Sequence, residues 1–227
     1  MPAPSKPFSW SFSRLKAFES CPKRHYHLDI AKDVTEPESD QLAEGSAVHA
    51  AMAARLDPTR KKPLPLSMDY LEPWVKSLEK AAGSEGRIGT ELKAALTRDF
   101  GSTTFFARDV WFRGIIDAMV LRGSVAIIGD WKTGKVTDDN PQLALFAQLV
   151  FAQRPEVQRV RTIFFWTKTV EKTTKDWNRE DMAGFWASML PRVAVLKKAH
   201  DTSEYPAKPG RLCKRWCPVV QCVHNGI

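Results

Sequence analysis

The chain has 227 residues, of which 43% are hydrophobic and 26% are charged, a composition that excludes a disordered chain and suits one compact domain with a small appended lobe. Lys and Arg total 34 against 26 Asp and Glu, for a formal net charge of +8, and this surplus favours a partner that carries phosphates, such as DNA or RNA. Residues 1–7 contain no apolar leader and no apolar run is long enough to span a bilayer, so we expect a cytoplasmic protein that does not bind a membrane.

The first hundred residues are predicted to be mainly helical. Ser11 or Ser13 can cap a helix through a side-chain oxygen. Cys21-Pro22 interrupts this helix, and a second helical stretch follows it. Three more helices are predicted downstream, at 45–52, 68–82 and 88–99.

Beyond residue 100 the pattern changes to that of an α/β domain. Strands are predicted at 103–111, 114–121, 124–132, 159–168 and 169–177. Two helices accompany them, at 141–153 and 179–198. Arg122-Gly123 provides a hairpin turn, and the order of elements predicts a mixed sheet with helices on its faces. We therefore expect a core over 101–200, a helical region over 1–100 and an irregular tail over 201–227, all in one compact unit.

Two aspartates and a lysine lie at the ends of two predicted strands. Asp117 interrupts an apolar strand and Asp130 ends the next one, so hairpin pairing can bring their carboxylates together. Side chains two apart on a strand share a face, so Lys132 projects beside Asp130. Carboxylate and carbonyl oxygens, here including the main-chain carbonyl of Trp131, suit Mg²⁺. Lys132 could orient a water or stabilise charge on a phosphate.

Each of these signals also has a simpler interpretation. An isolated Asp-x-Lys tripeptide is most often a surface ion pair. A lone histidine such as His49 is more often structural than a ligand, and a glutamine at a helix start, such as Gln142, is usually polar surface. The signals gain weight together, because Gly134 gives a tight exit from the strand and Lys135 adds a candidate phosphate contact.

In combination these residues resemble the PD-(D/E)XK nuclease superfamily, in its RecB-like branch. The matching segments occur in the family's order and are Gly45-x3-His49, Gly114-Ile115-Ile116-Asp117, Gly129-Asp130-Trp131-Lys132-Thr133-Gly134-Lys135 and Gln142-x3-Phe146. The opening Ser11-Phe12-Ser13-Arg14-Leu15 with Cys21-Pro22 is similar to the start of that branch, so the resemblance spans about residues 10–222. The branch often has Tyr where this chain has Phe146.

The resemblance implies a restriction-endonuclease-like fold with helical N- and C-terminal regions beside the core. It also implies that His49, Asp117 and Asp130 bind Mg²⁺ or Mn²⁺. Lys132 would be the catalytic lysine, and Gln142 would support the site and the DNA. The implied activity is hydrolysis of DNA, as an exonuclease on single-stranded or end-containing DNA in recombination, repair or phage DNA metabolism. A non-catalytic DNA-binding module of the same fold is the alternative, and either could be recruited by a protein partner.

Four cysteines form a second candidate site. Cys21 lies near the N-terminus, and Cys213, Cys217 and Cys222 lie in the tail with C-x3-C-x4-C spacing. Disulfides are disfavoured in a reducing compartment, whereas four thiolates suffice for one [4Fe–4S] cluster that would clip the two regions together. The arrangement resembles the cluster of CRISPR-associated and AddB-type nucleases, whose trio more often begins C-x2-C. A Zn²⁺ site, a site in which His224 replaces one cysteine, and four unlinked thiols are the alternatives.

Tryptophans are the candidates for contacts with bases. Trp166, Trp177 and Trp216 could stack on a single strand, while Lys168 is among the basic residues that could contact its phosphates. The simpler interpretation is that the tryptophans are buried and the lysines are solvated.

Overall fold

The structure, a computed structural model, describes residues 7–37, 39–59, 61–137 and 140–226. These residues form two compact units. Ser39–Phe185 is one unit, and the described parts of 1–38 and 186–227 form the other. This division differs from the expected separation at residues 100 and 200, because helices and a strand from the first hundred residues belong to the unit that contains the sheet.

The larger unit is built on a six-stranded mixed sheet. Its strands are β1 (Arg87–Leu96), β2 (Ser102–Thr103), β3 (Phe112–Arg122), β4 (Val125–Lys132), β5 (Arg159–Trp166) and β6 (Glu171–Asn178). Their order is β2-β1-β3-β4-β5-β6, and only the β4–β5 pair is parallel. The predicted α/β fold with a mixed sheet is therefore confirmed, as is the hairpin of β3 and β4, in which Gly123 has a φ of +54°.

Three helices accompany the sheet. They are α3 (Asp40–Leu56), α4 (Glu72–Ala82), which follows a 3-10 turn, and α5 (Asn140–Gln153). Helix α3 buries Val48, Met52 and Leu56, which are four residues apart and so share one face of the helix. These side chains pack in one cluster with residues of α4 and with Ala118, Val120, Trp131 and Phe165 of the sheet.

Helix α5 connects the two parallel strands, as a crossover between parallel strands requires. Residues 143–151 of α5 are all buried, which agrees with a helix that is apolar on every side. The crossover places Gln142, in its first turn, beside the end of β4.

Two of the predicted elements are wrong. The predicted helix over 88–99 is strand β1, because pairing with β3 along nearly its whole length outweighs the helix propensity of its Glu, Leu, Lys and Ala residues. The predicted strand over 103–111 is reduced to the two residues of β2, and most of that segment forms turns.

The smaller unit contains α1 (Phe12–Ser20), α2 (Pro22–His25) with a π-helical turn after it, and most of α6 (Met182–Thr202). Ser11 caps α1 as predicted, since its Oγ accepts a hydrogen bond from the N–H of Arg14 at 3.4 Å. Arg192 of α6 pairs with Glu19 at 2.7 Å. Within the described ranges, no helix combines the length and the hydropathy that a bilayer crossing needs.

Candidate active site

The two predicted aspartates lie where β3 and β4 separate. The last pair of the β3–β4 ladder joins Ala118 to Gly129, so Asp117 and Asp130 occupy the next position on each strand. Their exposed fractions are only 7% and 2%. The N–H of Trp131 donates a hydrogen bond of 3.0 Å to Oδ2 of Asp117. The carboxylate thus takes the place of a main-chain carbonyl of β3, which would accept this hydrogen bond if the β3–β4 pairing continued.

His49 from α3, Glu91 from β1 and Asp117 from β3 converge. One ligand atom from each lies within 4.8 Å of the other two, and Nδ1 of His49 is 3.3 Å from Oδ2 of Asp117. We call these three residues the ligand cluster. Among the described parts of the chain, no other histidine, cysteine, aspartate or glutamate joins a group of three this tight.

Glu91 is the site residue that the sequence interpretation missed. Its neighbours Thr90 and Leu92 pair with Ala118 and Ile116, the residues on either side of Asp117, and it lies within the segment that was expected to be a helix. Its φ of +50° is a left-handed backbone conformation, which non-glycine residues adopt mainly where the surrounding fold imposes it, often at functional sites. Partial burial raises the pKa of the Glu91 carboxyl, and the charge of Asp117 raises it further.

The imidazole of His49 also contacts the main chain of β4. Its Nε2 lies 3.0 Å from the carbonyl oxygen of Trp131, and because a carbonyl only accepts, Nε2 is the donor. The hydrogen bond to Asp117 raises the pKa of His49, against an opposing effect of burial. The Trp131 ring is 1% exposed and stacks on Phe165 at 4.9 Å, which fixes the carbonyl that His49 meets.

Gly45 allows α3 to approach the end of β4 this closely. A Cβ at position 45 would lie 3.2 Å from Oγ1 of Thr133, tighter than ordinary packing allows. The Gly-x3-His spacing recognised in the sequence therefore has a steric role, since it brings the first turns of α3 against the segment that follows β4.

Asp130 contacts a different set of partners. Its Oδ2 is 2.6 Å from Nζ of Lys132, and its Oδ1 accepts a hydrogen bond of 3.1 Å from Nε2 of Gln142. The pKa of Asp130 is raised to about 7, mainly by burial; the charge of Lys132 opposes this rise and the charge of Asp117 adds to it. Asp130 is not a member of the ligand cluster, although its neighbour Trp131 contacts that cluster through its carbonyl.

Lys132 is held from several directions. Its carbonyl accepts hydrogen bonds from the N–H of Thr167 at 2.8 Å and from the hydroxyl of Thr167 at 3.2 Å. Its ammonium lies 5.0 Å from the ring centroid of Phe164 and its side chain is 27% exposed. A fixed and partly exposed ammonium of this kind can meet an anionic ligand at the surface of the site.

The chemistry of the donor set fits a divalent cation. Carboxylate oxygens with one imidazole nitrogen suit Mg²⁺ and Mn²⁺, which prefer oxygen ligands. The Trp131 carbonyl adds a further oxygen beside the imidazole. All six sequence-predicted residues of this site share one region, and Glu91 joins them: His49, Asp117, Asp130, Trp131, Lys132 and Gln142.

The predicted stacking residues are placed differently. Trp166 and Trp177 are buried, and their indole N–H groups donate to Thr173 and Thr162, each at 2.9 Å, so the expectation that they stack on bases is wrong. Trp216 is 75% exposed. Lys168 pairs with Glu44 at 2.9 Å.

The four cysteines line one small cavity of about 10 Å³ in the smaller unit. No three of their sulfur atoms lie within 4.8 Å of one another. The N–H of Lys208 points at Sγ of Cys21 at 3.5 Å, and Asn225 donates to the carbonyl of Cys217 at 2.8 Å. The four thiols therefore line a common space, and no three of them are close together.

A family model of the PD-(D/E)XK nuclease superfamily matches residues 9–222. No curated protein sequence matches the chain. A crystal structure from Eubacterium rectale, provisionally described as an exonuclease, is 14% identical, covers 90% of this chain and 85% of that one, and has a TM-score of 0.54. LHK-Exo in complex with dAMP is 11% identical, with coverage of 86% and 89% and a TM-score of 0.37. At 14% identity, the likeness to the Eubacterium rectale structure concerns the fold alone.

Proposed function

The chain belongs to the PD-(D/E)XK nuclease superfamily, and we propose that it hydrolyses DNA phosphodiester bonds with the help of Mg²⁺ or Mn²⁺. The observation that carries this proposal is the ligand cluster beside the ion pair between buried Asp130 and partly exposed Lys132. A scaffold that only binds DNA has no need of a histidine and two carboxylates within 4.8 Å of one another. The basic surplus of +8 agrees with a polyanionic substrate.

His49, Glu91 and Asp117 would hold the cation, together with the carbonyl of Trp131. Asp130, expected from the sequence to be a further ligand, could add a carboxylate oxygen to this set. When bound, the cation supplies Lewis acidity, which polarises a phosphoryl oxygen and makes a water a stronger acid.

Lys132 and its partners supply the remaining chemistry of the chain. The ammonium of Lys132 would donate hydrogen bonds to a non-bridging phosphate oxygen, whose negative charge increases in the transition state, or would orient the attacking water. Asp130 orients this ammonium at 2.6 Å. Gln142 in turn orients Asp130 at 3.1 Å, so it acts through the aspartate and is a positioning residue.

A finer proposal concerns the type of cleavage. The Gly-x3-His, Gly-Ile-Ile-Asp, Asp-Trp-Lys-Thr-Gly-Lys and Gln-x3-Phe segments are similar to the RecB-like branch, which supports an exonuclease that acts on single-stranded or end-containing DNA. Phe146 replaces the usual tyrosine and is buried, so any contact that a phenol would make with DNA is absent. The cytoplasmic location expected from the sequence stays a prediction.

The test is cleavage of matched DNA substrates. Linear single-stranded, linear double-stranded and circular DNA are incubated with Mg²⁺, with Mn²⁺ or with EDTA, using end-labelled strands. We expect metal-dependent degradation of linear DNA with release of the terminal nucleotides first. Binding without cleavage under all metal conditions would favour the non-catalytic module, and rapid cutting of circular DNA would replace the exonuclease proposal with an endonuclease.

We also propose that Cys21, Cys213, Cys217 and Cys222 hold a [4Fe–4S] cluster. Their shared cavity supports a common ligand. Tetrahedral Zn²⁺ with bonds of about 2.3 Å places its sulfur ligands about 3.8 Å apart, which is closer than any three of these sulfur atoms lie. A cubane binds one thiolate at each of four irons and so holds the sulfur atoms farther apart. Nearby basic side chains would offset the charge of the thiolates.

A further inference from the structure

A surface outside the ligand cluster combines exposed aromatic rings with cations. We name it the aromatic–basic patch, and it consists of Lys93, Phe105, Phe106 and Arg113. Phe106 is 78% exposed, and its ring meets that of Phe105 edge to face with centroids 5.0 Å apart. Trp166 and Trp177 are buried, whereas Phe105 and Phe106 lie in the loop between β2 and β3.

The loop that carries the two rings is fixed by hydrogen bonds. The N–H of Ala107 donates to the carbonyl of Thr104 at 3.0 Å, which makes Phe105 and Phe106 the central residues of a β-turn. The hydroxyl of Thr103 donates to Asp109 at 2.8 Å across the base of this turn. The exposed ring is thus presented by an ordered turn, and a ligand would not have to order it.

Two cations flank the rings. Nζ of Lys93 lies 5.9 Å from the centroid of Phe105 and 5.5 Å from that of Phe106. The guanidinium carbon of Arg113 lies 5.3 Å from the centroid of Phe105. The patch therefore places two cations beside an aromatic ring that is largely exposed.

The patch is close to the ligand cluster along the same two strands. Lys93 follows Glu91 by two residues in β1, and Arg113 precedes Asp117 by four residues in β3. At a rise of about 3.3 Å per residue, these separations correspond to roughly 7 Å and roughly 13 Å. A strand whose phosphate reaches the cluster would therefore pass the patch within a few nucleotides.

We propose that the aromatic–basic patch binds single-stranded DNA, with the ring of Phe106 stacked on a base and with Lys93 and Arg113 on the neighbouring phosphates. Aromatic rings interleaved with basic side chains are the chemistry by which proteins bind single strands. A duplex offers the phosphates but keeps its bases stacked on one another, so the ring selects an unpaired strand. This inference deepens the proposed function, because it names the form of DNA that approaches the site.

The experiment measures binding by fluorescence anisotropy in EDTA, so that no strand is cut. The probes are oligo-dT and an abasic strand of the same length, which has the same phosphates but no bases. Phe106→Ala should weaken oligo-dT binding by about 5- to 150-fold, the loss expected when one stacking ring is removed, and should leave abasic binding nearly unchanged. Phe106→Trp should restore oligo-dT binding. Lys93→Ala should weaken both probes and lower the slope of log affinity against log salt by about 0.7.

Two matched controls keep the result interpretable. Leu66→Ala removes another highly exposed apolar side chain, at 90% exposure, and Lys80→Ala removes an exposed lysine of α4; neither should change binding to oligo-dT. Thermal melts establish that each variant is folded. Equal binding by Phe106→Ala and the wild type, equal losses on both probes, or no binding of oligo-dT by the wild type would each overturn the patch.

Cleavage is measured in parallel and decides a separate question. A wild type that binds oligo-dT through Phe106 but cuts no DNA with Mg²⁺ or Mn²⁺ would refute the proposed hydrolysis and leave the patch in place. A wild type that cuts DNA while Phe106→Ala binds normally would refute the patch alone.

Discussion

The imidazole of His49 is hydrogen-bonded to the main-chain carbonyl of Trp131, 82 positions further along the chain, at 3.0 Å. Both groups belong to the proposed set of metal ligands. The bond brings α3 to the end of β4, so contacts within the fold hold part of the proposed coordination shell together. It also means that a proton occupies Nε2, which a cation would have to displace in order to bind there.

Metal affinity should therefore depend on pH. Hydrogen bonding to Asp117 raises the pKa of His49, partial burial raises that of Glu91, and burial raises that of Asp130 to about 7. A raised pKa means that a proton is retained to higher pH, so binding releases protons and affinity increases as pH rises through about 7. Isothermal titration with Mn²⁺ in buffers of different ionisation enthalpy measures both the affinity for Mn²⁺ and the number of protons released. Affinity that is constant between about pH 6 and about pH 8, without proton release, would contradict this prediction.

Asp117→Asn and Asp130→Asn should each abolish cleavage and leave DNA binding largely intact, since each removes an anionic oxygen from the site. Asparagine is the informative replacement at position 117, because its side-chain oxygen can still accept from Trp131 N–H. Asp117→Ala leaves that buried N–H without an acceptor and should cost a further ~1–3 kcal/mol of unfolding free energy. Chemical denaturation together with a nuclease assay separates the two effects, and wild-type cleavage by either Asn variant would refute the site.

Lys132→Ala should lower the cleavage rate by roughly 10²–10³ without weakening metal binding, because the ammonium acts on the transition state and is not a ligand. Single-turnover rates and Mn²⁺ titration on the same preparation test both halves of the prediction. Lys172→Ala, an exposed lysine of β6, serves as the control and should cleave normally. A loss of metal affinity in Lys132→Ala equal to that of Asp117→Asn would contradict the assigned roles.

Glu91→Gln should weaken Mn²⁺ binding by at least about tenfold, since even residues that only orient ligands have effects of this size. Cleavage should recover in part at high Mn²⁺ concentration. Glu85→Gln, an exposed glutamate just before β1, is the matched control and should bind Mn²⁺ like the wild type. Unchanged affinity in Glu91→Gln would remove Glu91 from the ligand cluster.

The cysteines should bind iron. Protein purified without oxygen should be brown and contain about four irons per chain, and Cys→Ser changes at positions 21, 213, 217 and 222 should each remove the colour. Hydrolysis transfers no electron, so loss of activity in these variants should follow loss of folding and not the redox state. Colourless protein with one zinc per chain would show that the four cysteines form a zinc site. Stable protein without any metal would show that they bind neither zinc nor a cluster.

The part of the site that the sequence predicted is the part with strong local signals. Asp117 and Asp130 stand out because each is a charge in an apolar strand, and β3, β4 and α5 follow from their apolar runs with a hairpin turn between the strands. Alternation along β4 then placed Lys132 beside Asp130, and their distance of 2.6 Å agrees with this.

Glu91 was missed for a physical reason. Its neighbours Leu92, Lys93, Ala94 and Ala95 favour a helix when considered alone, and a glutamate among them looks like an ordinary solvent-facing residue. The strand exists because β3 pairs with it, which is a long-range contact that local propensity does not contain. The positive φ at position 91, which turns the carboxylate to its place, is equally invisible in a single sequence.

The site is distributed along the chain, and this affects when it can first act. His49, Glu91 and Asp117 come from three elements that meet only through the sheet, whereas Asp130, Lys132 and Gln142 follow one another within a short stretch of chain. During synthesis, the ribosome releases His49 long before β4 exists, so a growing chain holds isolated carboxylates and no nuclease. The proposed hydrolysis therefore requires a paired β1–β3–β4 sheet, and we expect a chain that ends before β4 to leave DNA uncut.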